Sequence, residues 1–365
     1  RCLMRIPRTT DEITPEWLTD ALRAEGYLDE GRVKSVEFER IGIGLGFTTL
    51  IARATVTYAG RSVNAPRTLV VKLPSDVPET DAATRRFGVG EREVRFFKEL
   101  APDIGVPVPE CYYADSDNDN GDFVLLLEDL SNARPGDETN VALEDVELVV
   151  KNMARLHARW WESDRLAHLD WIFSSEDPER ATKSGQPYRA SWAKIGNGIG
   201  SEFPAGVSEM AGRLGTHFEE VMRPLGEAPV TLIHGDCRFY NLFFRDNGQR
   251  TEVVTIDWQT PSISRGAAEL AYFLIFCLSV EKRRKHEKSL LRLYLNGLKA
   301  EGVDDYSYER LVEDYRRGMF RFLVIGVNML ANVDFDNEAG RAVIDVALPR
   351  LASLTDLDCG ALIPD

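Results

Sequence analysis

The chain has 365 residues, of which 44% are hydrophobic and 28% are charged, and its formal net charge at pH 7 is −15. This length and apolar fraction are enough for a folded protein with two lobes and exclude a disordered chain. The acidity argues against nucleic-acid or anionic-membrane partners, because phosphate groups are bound by basic surfaces.

The cysteines and the apolar runs bear on where the protein resides. Five cysteines are scattered without a Cys-x-x-Cys pair, so neither a zinc ribbon nor a disulfide framework is predicted. The segment RCLMRIPRTT lacks the apolar core of a signal peptide, and the longest apolar run, LAYFLIFCLSV over 270–280, is too short to span a bilayer and predicts a buried helix. We therefore expect a reduced, cytoplasmic protein, and the sequence makes no prediction of its oligomeric state.

The first 130 residues predict a mostly antiparallel sheet that carries one helix. Thr14-Pro15 is typical of a helix start, and Gly26 of the end of that helix. Apolar residues at three-residue steps predict a second helical segment over 79–100. A hairpin is expected from CYYAD into DFVLLLEDL. Strand-like runs rich in β-branched residues lie at 33–41, 48–58 and 68–73.

The character of the chain changes after the polar linker SNARPGD (131–137). The pattern becomes largely helical, interrupted by a hairpin that Asn247-Gly248 predicts. Long helices are expected at 142–162, 267–279, 283–300, 306–331 and 338–354. We therefore predict an α+β protein with an N-terminal lobe over 1–130, which includes the N-terminal helix, and a mainly helical C-terminal lobe over 131–365.

The glycine-rich segment IGIGLGF contains Gly42, Gly44 and Gly46. It is followed by the strand-like TTLIARATVTY, whereas a Rossmann motif requires a helix there, and the Gly-Lys-Ser/Thr of a Walker A loop is absent. A glycine loop that joins two antiparallel strands fits another use, a flap whose backbone covers nucleotide phosphates.

Lys72 lies inside the apolar strand LVVKLP. Taken alone, it is best explained as an edge lysine whose ammonium reaches solvent, because lysines are rarely buried without a partner. A carboxylate on the following helix would change this interpretation, and Glu93 in EREVRFFKEL is the first choice, with Glu91 as the alternative. Such a pair would hold the ammonium toward a phosphate group.

The stretch LIHGDCRFYNLFF (232–244) places polar residues between apolar flanks. Asp236 and Asn241 are five residues apart, and the predicted hairpin returns Asp257 toward Asn241. Amide and carboxylate oxygens suit Mg²⁺, and an aspartate beside them would accept or orient a hydroxyl proton. We expect His234 to brace the loop rather than react. Zinc is disfavoured, because no further His or Cys clusters nearby.

These motifs resemble a known family. HGDCRFYN resembles the His-Gly-Asp-x-x-x-x-Asn loop of aminoglycoside phosphotransferases and choline kinases, the small-molecule branch of the protein-kinase-like fold. TIDWQ resembles the metal-binding segment of that group, and FVLLLEDLSNARPGD its hinge and linker. The order of motifs is that of the family over roughly residues 40–275. The sequence around residues 123–161, with LLLEDL, GD and a helix that ends in LHARWWES, is most similar to ecdysteroid-kinase-like and uncharacterised bacterial-type phosphotransferases.

The resemblance implies a bilobal protein-kinase-like fold with ATP and Mg²⁺ as cofactors. Lys72 would contact the α/β-phosphates while Glu93 holds its ammonium, Asp236 would be the catalytic aspartate, and Asn241 and Asp257 would bind magnesium. The nucleotide would meet the glycine loop, the lysine and the hinge, that is Gly44, Gly46, Lys72, Glu128, Asp129 and Leu130.

Three positions depart from the kinase patterns. Gly235 stands where protein kinases have arginine, as is usual in the small-molecule branch, and Gln259 replaces the glycine of the Asp-Phe-Gly segment. Glu269 in AELAYF replaces the usual aspartate of the helix that follows, which leaves the bracing of that helix open.

A small-molecule acceptor is expected. Only about ten residues separate Asp257 from the helix near Gly266, too few for a segment that cradles a peptide. Aminoglycosides, choline-like amines, sugars and sterol-like alcohols all stay open as acceptors. Candidate acceptor contacts are Asp236, Trp161, Trp258 and Glu269, and the tryptophans able to line a pocket are Trp160, Trp161, Trp171, Trp192 and Trp258.

Three functions are therefore compared. The first is an ATP-dependent kinase that transfers the γ-phosphoryl group to a hydroxyl of a small metabolite or antibiotic. The second is a catalytically silent module of the same fold that binds nucleotide or metabolite, against which the complete set of catalytic residues argues. The third is a metal-dependent hydrolase that uses Asp236 and Asp257 and needs no nucleotide.

Overall fold

The computed structural model describes residues 4–42, 49–117, 119–174, 178–332 and 338–364. The chain forms two compact units. The N-terminal unit comprises the chain up to Pro135 together with Phe243–Thr260, and the C-terminal unit comprises Gly136–Leu242 and the chain from Pro261 onward.

Strands and helices are numbered in chain order. The strands are β1 (Arg32–Arg40), β2 (Thr49–Ala59), β3 (Thr68–Pro74), β4 (Cys111–Asp117), β5 (Asp122–Glu128), β6 (Arg134–Pro135), β7 (Phe173–Ser174), β8 (Thr231–Ile233), β9 (Leu242–Asp246), β10 (Thr251–Thr255) and β11 (Ser262–Ser264). The helices are α1 (Pro15–Ala24), α2 (Pro78–Phe87), α3 (Val89–Arg95), α4 (Leu143–Arg159), α5 (Pro178–Ile195), α6 (Val207–Thr216), α7 (Phe218–Met222), α8 (Gly266–Cys277), α9 (Val280–Ala300), α10 (Tyr308–Leu330), α11 (Glu338–Arg350) and α12 (Ser353–Asp356).

A five-stranded antiparallel sheet organises the N-terminal unit, in the order β1-β2-β3-β5-β4. In β3, Leu69, Val71 and Leu73 are fully buried in one core cluster, which also contains Leu18 and Leu22 of α1. Because side chains alternate along a strand, this register turns Lys72 to the opposite face of the sheet.

The helix signals of this unit are confirmed, with one difference. Helix α1 begins as predicted, since the Thr14 side chain accepts a hydrogen bond from the N–H of Trp17 and Pro15 occupies the first helical position. The segment predicted as one helix over 79–100 is instead α2, α3 and a π-helical turn over Phe96–Leu100. Gly88 ends α2 with a left-handed φ of +59°, a conformation that glycine adopts without steric cost.

The predicted Asn247-Gly248 hairpin is present as β9 and β10, which form a small sheet with β6. Gly248 has a φ of +81°, and the Asn247 side chain accepts hydrogen bonds from the N–H groups of Gln249 and Arg250. The hairpin residues 243–260 belong to the N-terminal unit, although the predicted C-terminal lobe, 131–365, contains them. The lobe boundary at 130/131 itself stays a prediction.

The C-terminal unit is mainly helical and carries the sheet β7-β11-β8. The helices predicted from the apolar periodicity are present as α4 and α8–α11, with ends shifted by a few residues. Helix α8 is buried along nearly its whole length and packs on α10, where a Cβ at Gly318 would crowd Ala268. Among the described residues, no helix combines the length and apolarity that a bilayer crossing requires.

Candidate active site

Lys72 forms the centre of a buried ion cluster in the N-terminal unit. Its Nζ lies 2.8 and 2.6 Å from the two carboxylate oxygens of Glu93 and 2.8 Å from Oδ1 of Asp257. Lys72 is 6% exposed and Glu93 is 0% exposed. The partner on the following helix is therefore Glu93 rather than Glu91.

The charges of this cluster explain its protonation state. Burial lowers the pKa of Lys72, but the carboxylates of Asp257 and Glu93 outweigh burial, so the net pKa of Lys72 is raised. The ammonium thus stays charged at neutral pH. Burial raises the pKa of Glu93, and the charge of the Lys72 ammonium opposes this shift.

Asp257 is positioned by the residue that follows it. The indole of Trp258 stacks on Phe96 with ring centroids 4.1 Å apart and an interplanar angle of 6°, and its Nε1 donates to the carbonyl of Thr255 at 3.0 Å. Asp257 has a left-handed φ of +65°, which is uncommon for a residue other than glycine, and its side chain is 32% exposed. The next residue, Gln259, donates to Glu93 at 3.4 Å.

This packing corrects one expectation. Trp258 was predicted as an acceptor contact, but its side chain is 0% exposed. A side chain with no exposed surface contacts no small molecule, so Trp258 is a core residue. The sequence pattern misled here because a tryptophan beside a polar motif fits a pocket wall and a core anchor equally well.

The hinge residues belong to ion pairs within the N-terminal unit. Glu128 accepts a hydrogen bond from Arg245 at 2.7 Å, and Asp129 accepts one from Arg53 at 3.0 Å. Leu130 is buried in a small cluster with Val254. These contacts fix the segment that we expect to meet adenine, and the contact itself stays a prediction. Gly44 and Gly46, the predicted phosphate-loop residues, lie outside the described residues.

The loop that begins at His234 is held by its neighbours in the C-terminal unit. The backbone N–H groups of His234 and Gly235 both donate to Glu269, at 3.1 and 2.6 Å. The Gly235 carbonyl accepts a hydrogen bond of 2.6 Å from Arg321, and Gly235 has a φ of +89°. His234 Nδ1 accepts from the Asp236 N–H at 3.2 Å, which agrees with a bracing role for this histidine.

Glu269 shows how helix α8 is tied to the loop that carries Asp236. It lies in the first turn of α8, is buried, and has a third contact of 3.1 Å with Nε2 of His157. Burial raises the pKa of Glu269, but the hydrogen bonds of His157 and Gly235 outweigh burial and leave the pKa below its ordinary value. The prediction that Glu269 contacts the acceptor is therefore corrected, because its carboxylate is occupied in bracing the loop.

Asp236 has hydrogen-bond donors on both carboxylate oxygens. Oδ2 accepts from the hydroxyl of Tyr240 and from Nδ2 of Asn241, both at 3.1 Å, and Oδ1 accepts from the hydroxyl of Tyr272 at 2.6 Å. Asn241 Nδ2 also donates to the Asp236 carbonyl at 2.9 Å. The short 3-10 turn Phe239–Asn241 returns the chain over these five residues, which explains the spacing of the two polar side chains.

The two predicted magnesium ligands offer the appropriate oxygen atoms. Both hydrogen bonds of the Asn241 amide nitrogen go to Asp236, so the amide oxygen is the atom that this side chain can offer to a cation. Asp257 offers a carboxylate whose side chain is partly exposed and whose Oδ1 contacts Lys72. Mg²⁺ is bound by a few protein oxygens of this kind together with substrate phosphates. Each side chain by itself has donor chemistry that suits the ion, and the assignment of both to one ion stays a prediction.

Trp161 is another predicted acceptor contact, and its ring packs against a tyrosine. It is half-buried, and its ring packs edge-on against Tyr306 with centroids 5.0 Å apart. The adjacent Trp160 is buried beneath the guanidinium of Arg165. An acceptor role for Trp161 stays a prediction.

Sequence reasoning missed Tyr240, Tyr272 and Arg321. Tyr272 follows Glu269 by three residues on α8, so the two share a helix face, and this spacing could have indicated a second contact with the same loop. Tyr240 lies inside the recognised motif. Arg321 comes from α10, about eighty residues further along the chain, and no local pattern marks it.

Comparison with solved structures defines the class of fold. The GDP and kanamycin complex of APH(2″)-IIIa has a TM-score of 0.53, covering 93% of this chain and 98% of that one at 14% identity. The choline kinase of Cryptosporidium parvum has a TM-score of 0.55, covering 89% and 91% at 15% identity. A Ralstonia eutropha protein with the provisional description of aminoglycoside phosphotransferase has a TM-score of 0.61, covering 96% and 99% at 16% identity. The predicted α+β protein-kinase-like fold is confirmed.

Sequence comparison then gives the family. The sequence profile of the ecdysteroid kinase-like family matches residues 44–161 and 178–303, more than half of the chain. This chain belongs to the ecdysteroid kinase-like family, and the resemblance to small-molecule phosphotransferases is confirmed. The uncharacterized oxidoreductase dhs-27 of Caenorhabditis elegans is 23% identical over 353 residues, an alignment that covers 84% of this chain. The chain spans 40% of the length of that relative.

Proposed function

We propose that this chain is a small-molecule kinase that transfers the γ-phosphoryl group of ATP to a hydroxyl group. The observation that carries the proposal is the buried contact of Lys72 with both Glu93 and Asp257. Lys72 and Glu93 are both buried, and burying two charges costs free energy that apolar side chains of similar volume would not cost. A cluster of this kind is explained by a function for the ammonium rather than by the stability of the fold.

On the nucleotide side, Glu93 holds the Lys72 ammonium so that it stabilises negative charge on the phosphates. Asn241 and Asp257 each offer an oxygen ligand for Mg²⁺, which when bound neutralises phosphate charge. The hinge backbone at Glu128–Leu130 is the proposed contact of the base. ATP and Mg²⁺ are thus the cofactors of the proposal, and a test with GTP decides the base.

On the acceptor side, Asp236 receives the proton of the substrate hydroxyl or orients that hydroxyl for attack. The acceptor oxygen forms a bond to the γ-phosphorus, the bond between that phosphorus and the β–γ bridging oxygen breaks, and ADP leaves with its electron pair. Catalysis of this kind depends on positioning and charge stabilisation more than on covalent chemistry by the protein.

The name of the nematode relative does not extend to this chain. The chain spans less than half of that protein. The large sheet of the N-terminal unit is antiparallel, whereas dinucleotide-dependent dehydrogenases of the Rossmann type use a mostly parallel sheet. We therefore propose phosphotransfer, and not oxidoreduction, for the segment that the two proteins share.

The test combines binding and turnover. Calorimetry with Mg-ATP and Mg-GTP measures nucleotide affinity, and an ADP-release screen over hydroxylated compounds identifies the acceptor. D236N is expected to bind nucleotide as the wild type does and to lose at least about a hundredfold in kcat. The control K98M removes a lysine of the N-terminal unit whose ammonium pairs with Asp115 on the surface, and it should leave both measurements unchanged.

Two results would contradict the proposal. Nucleotide binding without transfer to any acceptor would indicate the silent module. Hydrolysis that proceeds without nucleotide would indicate the metal-dependent hydrolase.

A further inference from the structure

Two tyrosine hydroxyls contact Asp236, and the recognised motifs assign no role to either. Tyr240 donates to Oδ2 at 3.1 Å and Tyr272 donates to Oδ1 at 2.6 Å. We propose that Tyr272 is a positioning residue that fixes the carboxylate of Asp236 and directs the acceptor hydroxyl to Oδ1. This inference rests on the proposed kinase function.

The number of donors on each carboxylate oxygen identifies Oδ1. A carboxylate oxygen accepts hydrogen bonds along two lone pairs. Both positions on Oδ2 are taken, one by Tyr240 and one by the amide of Asn241. Within the part of the chain that the structure describes, Oδ1 has one donor, Tyr272. The remaining acceptor position of the carboxylate is therefore on Oδ1, beside the phenol.

The position of Tyr272 is determined by the same helix that holds the loop backbone. Glu269 and Tyr272 are three residues apart on α8, so they project from one face of the helix. Glu269 binds the N–H groups of the loop and Tyr272 binds the side chain of Asp236. Backbone and carboxylate are thus positioned by one rigid, buried element, which is the arrangement that a precise site requires.

The surroundings of the phenol restrict its movement. Tyr272 is 4% exposed, and its ring packs against Phe276 with centroids 4.5 Å apart. The guanidinium of Arg321 lies 5.8 Å from the ring centroid and also donates to the carbonyl of Gly235. Burial and the nearby Asp236 carboxylate raise the pKa of Tyr272, so the phenol keeps its proton and acts as a donor.

Tyr272 affects the reaction through the position of the Asp236 carboxylate. As the acceptor oxygen bonds to the γ-phosphorus and ADP leaves, the hydroxyl proton passes to Oδ1 of Asp236. Tyr272 keeps its own proton throughout and touches neither the nucleotide nor the transferred group in this scheme. Its contribution is the orientation of the carboxylate, and a misplacement of about 1 Å in such a group costs up to about a hundredfold in rate.

The main test is Y272F, which removes one oxygen and keeps the ring. We expect kcat to fall by about 10- to 100-fold, with the KM and the calorimetric affinity for Mg-ATP unchanged within about twofold. The matched control is Y188F, since Tyr188 is also a fully buried phenol, in α5, and donates to the carbonyl of Ala211 at 2.9 Å. Y188F should match Y272F in lost thermal stability and keep the kcat of the wild type.

A double-mutant cycle separates positioning from a general structural effect. If Tyr272 acts through Asp236, adding Y272F to D236N should lower the residual rate no further. A kcat of Y272F within about twofold of the wild type would overturn the assignment, and so would an equal rate loss in the D236N background.

A structural readout makes the inference independent of turnover. If the wild type transfers phosphate to no acceptor, the proposed function fails. The role of Tyr272 can still be decided in that case, by comparing crystal structures of the wild type and Y272F. A carboxylate of Asp236 that rotates in Y272F supports the positioning role, and an unchanged rotamer overturns it.

Discussion

The carboxylate of Glu269 accepts a hydrogen bond of 2.6 Å from the backbone N–H of Gly235. This contact ties the first turn of α8 to the loop that carries Asp236. The fixed donors of Gly235 and its neighbour require an acceptor with two oxygens, which a carboxylate supplies and an amide does not. Glu269 thus braces the loop that carries Asp236 from the first turn of α8.

E269Q is expected to destabilise the protein by about 1–3 kcal/mol, because the amide NH₂ faces backbone N–H groups and leaves a buried donor unpaired. It should also lower kcat, since the loop that carries Asp236 loses its anchor. Urea unfolding gives the free energy, and turnover on an identified acceptor gives the rate. The control is E281Q, an exposed position in the first turn of α9, which should change neither quantity. Equal values for the two variants would contradict the bracing role.

The stabilisation by Glu269 should depend on pH in a defined direction. Its folded-state pKa is lowered, so its contribution is complete above the pKa of a glutamate in the unfolded chain, about 4.3, and is lost as the pH falls through the folded-state value. The difference in unfolding free energy between the wild type and E269Q should therefore be constant from pH 7 to 5 and shrink below about pH 4.3. Urea titrations at several pH values measure it. A difference that grows on acidification would refute the assignment.

The buried cluster of Lys72 allows stability and function to be separated. K72M leaves Glu93 buried without its main counter-charge, so we expect a loss of about 3–5 kcal/mol in unfolding free energy. The double variant K72M/E93L removes both charges, and it should regain much of this stability. Neither variant should bind Mg-ATP with the affinity of the wild type, which calorimetry measures. A double variant that regains nucleotide affinity along with stability would show that the pair serves only the fold.

The contacts that could be predicted from the sequence are those that follow from local pattern. Alternation along β3 separates Lys72 from its apolar neighbours, and a helix after that strand supplies Glu93. The turn between Asp236 and Asn241 is likewise local. Fold class followed from the motifs in their order along the chain.

The contacts that escaped prediction depend on tertiary packing. The stacking of Trp258 on Phe96 joins residues far apart in the chain, and the sequence pattern does not show which face of a tryptophan is covered by another residue. The same holds for Arg321, whose contact with Gly235 follows from how α10 packs beside the loop. Tertiary packing also decides that the hairpin over 243–260 belongs to the N-terminal unit.

Trp258 provides the last prediction, because its core position assigns it to stability and to the placement of Asp257 rather than to acceptor binding. W258F keeps an aromatic ring on Phe96 but removes the hydrogen bond to the carbonyl of Thr255, so we expect a loss of about 1–3 kcal/mol in unfolding free energy. Affinity for Mg-ATP should weaken, since Asp257 follows the same backbone, while the KM for the acceptor should stay within about twofold of the wild type. The comparison variant is W161F, because Trp161 is half-buried against Tyr306 and its role as an acceptor contact is still a prediction. A rise in acceptor KM for W258F at unchanged nucleotide affinity would return Trp258 to the acceptor pocket.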